Sequence, residues 1–223
     1  MKNNETLQKD VQDAIKWEPL LHAAEIGVTA NDGVVTLTGI VDSYAKKSEA
    51  EDATKKVAGV KAVVERIEVK YLGSIHKEDE EIAKEVLNAF KWNWKVPGEK
   101  ITVIVENSWV TLTGTINWNY QKDAAKNAIK NLLGVKGVTN SITIESEIHD
   151  AVEKREIEDA IDRNWSINKQ DIQVKVSGNR VTLTGTVNSI YQKDEAQRMA
   201  WNAPGVWFVD NEIEIEYDYL LVD

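Results

Sequence analysis

The side chains able to do chemistry are few and scattered. The chain holds three histidines, His22, His76 and His149, and no cysteine. Imidazole can serve as a general base or a metal ligand. None of the three lies in a strand-end loop beside a candidate nucleophile, so no Ser-His-Asp arrangement is suggested. His76 and His149 fall in two connecting stretches, where a solvated or linker-packing role fits better than a shared metal. Without cysteine there are no disulfides and no thiolate chemistry. The carboxylates are equally ordinary. Glu78-Asp79-Glu80-Glu81 opens a helix, where negative charge complements the dipole. Glu212, Glu214 and Glu216 alternate with Ile213, Ile215 and Tyr217, as the wet face of a strand should. No EF-hand spacing appears, and no phosphate-cradling glycine loop. The expectation is a chain with no catalytic residue, no metal and no cofactor. What remains is eight tryptophans. An indole joins a large apolar body to one polar N–H, which suits membrane interfaces and protein hot spots.

The elements that position these residues come in three copies. Val35-Thr36-Leu37-Thr38-Gly39 recurs as Val110-Thr111-Leu112-Thr113-Gly114 and as Val181-Thr182-Leu183-Thr184-Gly185. Each glycine is followed at the same distance by Gly-Val: Gly59-Val60, Gly134-Val135 and Gly205-Val206. Each is preceded at the same distance by an isoleucine: Ile26, Ile101 and Ile172. Recurring anchors of this kind mark a repeat architecture. The repeats span about residues 1–72, 77–146 and 150–219.

Each repeat reads as helix, strand, strand, helix, strand. The first helix carries one apolar stripe: Leu7, Val11, Ala14 and Ile15, then Ile82, Val86 and Phe90, then Ile157, Ala160 and Ile161. A strand follows, with alternation clearest at Ile101, Val103 and Val105 and at Ile172, Val174 and Val176. Asn31-Asp32-Gly33, Asn107-Ser108 and Gly178-Asn179 suit the hairpin turn that comes next. The Val-Thr-Leu-Thr-Gly strand returns antiparallel. Gly39, Gly114 and Gly185 at its end permit a turn or a close approach. The second helix is alanine-rich, and Gly59, Gly134 and Gly205 stand where a helix C-terminal glycine belongs. A last strand, 63–69, 138–144 or 209–215, runs parallel to the second strand if the crossover has its usual hand. The fold class is therefore α+β: three tandem modules, each a three-stranded mixed sheet with two helices on one face. Short linkers imply modules that touch.

The Val-Thr-Leu-Thr-Gly strand, the alanine-rich helix and the following Gly-Val resemble the BON domain, named for bacterial osmotic-shock and nodulation proteins. The resemblance covers nearly the whole chain. It implies a non-enzymatic bacterial protein associated with phospholipid or envelope binding and with osmotic stress. One kind of member senses potassium. Members are often periplasmic. This chain lacks a recognisable signal segment near Met1, so its expected location is cytoplasmic.

Equivalence between repeats sorts the tryptophans. Trp17 matches Trp92, and Trp94 matches Trp165, all at the end of a first helix. Large aromatics are usually buried, so these four are expected to cap the cores. Trp201 matches Lys55 and Lys130, Trp207 matches Lys61 and Lys136, and Trp118 matches Ser43 and Ser189. Rings in place of surface residues should be wet. Trp201 and Trp207 with Phe208 then form an aromatic patch, and Trp118 a further contact. The formal net charge is −10, which argues against nucleic acid. Residues 148–223 hold 15 acidic against 8 basic side chains, favouring neutral lipid or a protein. The expected function is stress-associated binding to a phospholipid surface through the third module. The alternatives are a protein-interaction scaffold and potassium binding by backbone carbonyls.

Overall fold

The computed structural model describes residues 3–21, 25–71, 77–145, 152–167 and 171–216. The three histidines lie outside them. The five-element order appears three times. The first repeat is α1 (Asn4–Trp17), β1 (Ile26–Asn31), β2 (Val34–Val41), α2 (Tyr44–Lys55) and β3 (Ala62–Val69). The second is α3 (Asp79–Lys91), β4 (Ile101–Glu106), β5 (Trp109–Ile116), α4 (Asn119–Ile129), β6 (Gly137–Asn140) and β7 (Thr143–Ile144). The third is α5 (Lys154–Asp162), β8 (Ile172–Ser177), β9 (Arg180–Val187), α6 (Ile190–Asn202), β10 (Phe208–Asn211) and β11 (Glu214–Ile215).

The Val-Thr-Leu-Thr-Gly strand is central in every sheet. It pairs antiparallel with the strand before it, Ile26 opposite Gly39, Ile101 opposite Gly114 and Ile172 opposite Gly185. In the second and third repeats the last strand joins it in parallel. Period-two alternation then decides which side chains enter the core. Val110, Leu112 and Ile116 point inward and meet Ile82, Val86 and Phe90 of α3 and Ala125 and Ile129 of α4, all buried. Each fully buried Leu or Ile adds roughly 1.5–3 kcal/mol of transfer free energy. Small alanines let the second helix lie close to the sheet.

Two departures from the expected strands have local causes. The hairpin turns reach positive φ without relying on glycine everywhere: Asn107 stands at 53° and Ser108 at 67°. The Asp79 carboxylate at the start of α3 accepts both of their backbone N–H groups at 2.8 Å, which holds the turn. Asn4 does the same for Asp32 in the first repeat, at 2.8 Å. The last strand is broken in two repeats, at Ser141-Ile142 and at Glu212-Ile213. Asn140 and Asn211 cause this. Each turns its amide N–H onto a helix carbonyl, Lys122 at 2.8 Å and Lys193 at 3.0 Å. Each accepts from the second residue along, Ile142 at 3.4 Å and Ile213 at 3.3 Å. Pairing with the central strand resumes in the same register.

The residues cluster into two compact units, 1–39 with 49–67 and 149–223, and 40–48 with 68–148. Within the first, Gly59 N–H donates to the Asn188 carbonyl at 2.9 Å, joining the first and third repeats. Asp194 lies there, its carboxyl raised by desolvation against the opposing pull of the Lys55 and Lys193 charges. Within the second, Tyr44 is buried in the core of the second repeat. The Tyr71 hydroxyl donates to the Val135 carbonyl at 2.6 Å, and the Lys47 ammonium lies 5.9 Å from the Trp109 ring centroid.

Candidate interaction surface: the tryptophan loops

Each repeat turns from its first helix to its first strand through a short loop built on one plan. A residue just past the helix accepts, on its backbone carbonyl, the N–H three residues on: Glu18 from Leu21 at 3.0 Å, Asn93 from Val96 at 2.9 Å, Asn164 from Ile167 at 3.2 Å. Leu21, Val96 and Ile167 are the apolar residues that plug the loop into the core. In the last two repeats the asparagine also closes a side-chain turn. Asn93 Oδ1 accepts from Lys95 N at 3.1 Å, and Asn164 Oδ1 from Ser166 N at 2.9 Å. Such turns are a local habit of asparagine.

The residue inside that turn is tryptophan, and it points outward. Trp94 is 86% exposed and Trp165 96%, while Trp17 and Trp92 at the helix ends are 89% and 87% exposed. The expectation that these four rings cap the cores is overturned. For Trp17 and Trp92 the reason is helical phase. Trp17 follows buried Ile15 by two residues and Trp92 follows buried Phe90 by two, about 200° around the helix. That signal was present in the sequence and outweighs the average burial of tryptophan.

Basic side chains accompany each ring. Lys16 precedes Trp17, Lys91 precedes Trp92, Lys95 follows Trp94 and Arg163 stands two before Trp165, all exposed. The Lys95 ammonium lies 5.5 Å from the Trp94 ring centroid. The loop of the third repeat is tied to the start of α6. Gln192 donates to the Ser166 carbonyl at 2.5 Å, and Asn164 to Glu195 at 3.4 Å. Arg198, hydrogen-bonded to Glu195, holds that carboxyl below its ordinary range, against desolvation and with help from Asn164. A hydrogen-bonded turn thus presents an apolar ring with a cation within two residues.

The rings expected to be wet are less so. Trp201 is partly buried and packs on the core of the third repeat. Trp207 is partly buried at the hairpin-turn end, where its backbone N–H donates to the Asn179 carbonyl at 2.9 Å. Matching a lysine position did not guarantee water, because an aliphatic stem covers the same core surface. Lys55 itself is half-buried. Phe208 is exposed and lies under the Arg180 guanidinium at 3.8 Å. Trp118, partly buried, precedes α4 and stacks on Tyr120 with centroids 6.5 Å apart. Trp207 and Phe208 adjoin one another, but Trp118 belongs to a different repeat. Among the described residues no group of three or more His, Asp or Glu gathers as a metal site would. No described helix is long and apolar enough to cross a membrane.

Comparison with known proteins agrees with the repeat. The BON domain model matches residues 3–71, 78–146 and 149–217. Osmotically-inducible protein Y of Escherichia coli (strain K12) is 30% identical over 126 residues, which cover 55% of this chain and 63% of that protein. The aligned region thus spans less than two thirds of that relative's length. Two solved structures of CdsD, a structural protein of the type III secretion system of Chlamydia trachomatis, align at 18% and 17% identity. They cover 96% and 97% of this chain and 94% and 100% of theirs, with TM-scores of 0.24 and 0.26. At those scores the likeness carries no further weight.

Proposed function

This chain belongs to the BON-domain family, and from that premise we propose that it is a non-catalytic, stress-associated protein that binds phospholipid surfaces through its tryptophan loops. The observation that carries this reading is the near-complete exposure of Trp17, Trp92, Trp94 and Trp165, each with a lysine or arginine within two residues. Exposing an indole to water is costly, and a headgroup interface relieves that cost. The neighbouring cation pairs with a lipid phosphate while its stem stays apolar. The chain's acidity elsewhere then limits binding to the loops. The link to stress rests on the name of the osmotically inducible relative.

Co-sedimentation with vesicles tests this, using phosphatidylcholine alone and phosphatidylcholine with phosphatidylglycerol. The wild type should pellet with vesicles. An indole reaching the interface contributes about 2 kcal/mol, so W92A/W94A should weaken binding by well over tenfold. Adding W17A and W165A should abolish it, with melting unchanged because the rings are exposed. A wild type that stays in solution with both vesicle types, or a quadruple variant that binds like it, overturns the reading.

A further inference from the structure

The sheet of the third repeat has an outer edge at β8. Among the described residues β8 pairs with β9 alone. The two-residue turn Gly178-Asn179 closes their hairpin, with Ser177 opposite Arg180. Bonded and non-bonded pairs alternate from there along an antiparallel ladder. Ser177, Lys175 and Gln173 therefore bond to β9. The backbone N–H and C=O groups of Ile172, Val174 and Val176 point away from it, and no described residue hydrogen-bonds to them. The side chains of Ile172 and Val174 are buried in the core. Both residues still line an open groove, which they reach through their backbone. That groove lies wholly within the third repeat, and Gln173, Lys175, Lys154 and Glu158 share it.

Lys154 and Glu158 stand one turn apart on α5 and pair at 3.2 Å. Ile161 near the end of α5 and Ile172 at the start of β8 belong to one core. With rises of about 1.5 Å per helix residue and about 3.3 Å per strand residue, Val174 and the midpoint of Lys154 and Glu158 both lie about 7 Å from that end. A two-fold axis through Val174 thus sets Lys154 of one copy against the second copy's Glu158, and the reverse. It sets Lys175 beside the second copy's Gln173 rather than beside a like charge. The equivalents of Lys154 and Glu158 are Gln8 and Gln12 in the first repeat and Ala83 and Leu87 in the second. The charge pattern therefore belongs to the third repeat.

We propose that two copies of the chain join edge to edge at β8, antiparallel about Val174, so that the sheets of their third repeats become continuous. A second copy is the fitting occupant because the edge and its charges complement themselves under two-fold rotation, as an isologous interface requires. Main-chain hydrogen bonds hold such an added strand, and the Lys154–Glu158 contacts fix its register. The association needs no lipid and stands apart from the tryptophan loops.

Sedimentation velocity without lipid, over a wide concentration range, tests the proposal. The wild type should pass from monomer to dimer and form nothing larger, because the pairing uses up both edges. K154E and E158K each set like charges against one another and should weaken dimerisation about tenfold or more. Melting should be unchanged, since both side chains reach water. An equal mixture of the two variants restores opposite charges across the axis and should pair as the wild type does, as should the double exchange K154E/E158K. Amide exchange locates the contact without any variant. The N–H groups of Ile172, Val174 and Val176 should exchange more slowly as wild-type concentration rises, while those of Gln173 and Lys175, already bonded to β9, should not change. A wild type that stays monomeric, growth past the dimer, or single variants that pair as the wild type does would each overturn the proposal. So would a mixture or double exchange that stays monomeric, or dimers whose Ile172, Val174 and Val176 amides exchange as in the monomer.

Discussion

Single residues divide sharply by what their backbone must do. Gly185 lies within β9, opposite Ile172, at a φ of 127°, and a β-carbon there would collide with the Asp171 carbonyl oxygen. Gly178 in the neighbouring hairpin turn has a φ of 60° and nothing within 4 Å of the same position. The first constraint combines a forbidden region with a backbone clash, and the second is a left-handed turn alone. Gly178→Ala should therefore cost about 1 kcal/mol. Gly185→Ala should cost about 3 kcal/mol or more and show up as a large drop in the denaturation midpoint. Equal losses would refute the distinction. The repeated glycines were legible in the sequence because each is demanded three times by the same geometry. The tryptophans were harder. Trp17 and Trp92 carry a phase signal that contradicts their type, and exposure follows phase. Trp94 and Trp165 lie past the helix, where no periodicity applies. Their direction comes from the turns closed by Asn93 and Asn164.

At the scale of elements, side chains at helix ends hold the neighbouring structure. Asp79 opens α3 and accepts two N–H groups of the β4–β5 turn. Both turn residues stand at positive φ without glycine. Asp79→Ala leaves two donors without that partner and should cost about 2 kcal/mol. Hydrogen exchange at Asn107 and Ser108 should accelerate first, before the strands loosen. Exchange that is unchanged there would show that the strands, not the carboxylate, set the turn. Glu195 plays a related part by tying α6 to the Trp165 loop. Its folded-state carboxyl is held low, chiefly by Arg198. A depressed carboxylate adds stability above its unfolded value, and that stability is lost as pH falls through the folded one. The tie should therefore weaken below about pH 4. Glu195→Gln should flatten this acid limb, followed as protease sensitivity of the Trp165 loop. A wild-type acid limb retained in the variant would contradict it. Helices and strands were readable because stripe and alternation decide burial directly. The broken third strands were not, since Asn140 and Asn211 act through hydrogen bonds to helix carbonyls that no pattern of polarity encodes.

At the scale of repeats, the first lends a side chain to the core of the second. In the second unit, Tyr44 begins α2 yet is only 8% exposed among the core residues of the second repeat. Nothing in the sequence announces this. The equivalent residues are Asn119 and Ile190, and a tyrosine in a first helical turn reads as surface. A repeat near 70 residues has a core only just large enough to stand alone, so a borrowed aromatic matters. Tyr44→Ala removes a buried ring from a neighbour's core, which costs about 3 kcal/mol. Tyr71→Phe removes the hydrogen bond to the Val135 carbonyl and should cost about 1 kcal/mol. The discriminating measurement is where the loss falls. Native-state hydrogen exchange of the Tyr44→Ala chain should speed up in β4 and β5 of the second repeat, remote in sequence from residue 44. The third repeat, in the other unit, should keep its protection. Loss confined to the first repeat would mean that Tyr44 only covers a surface. Loss in the second repeat means that its stability is set partly by a side chain from the repeat before it.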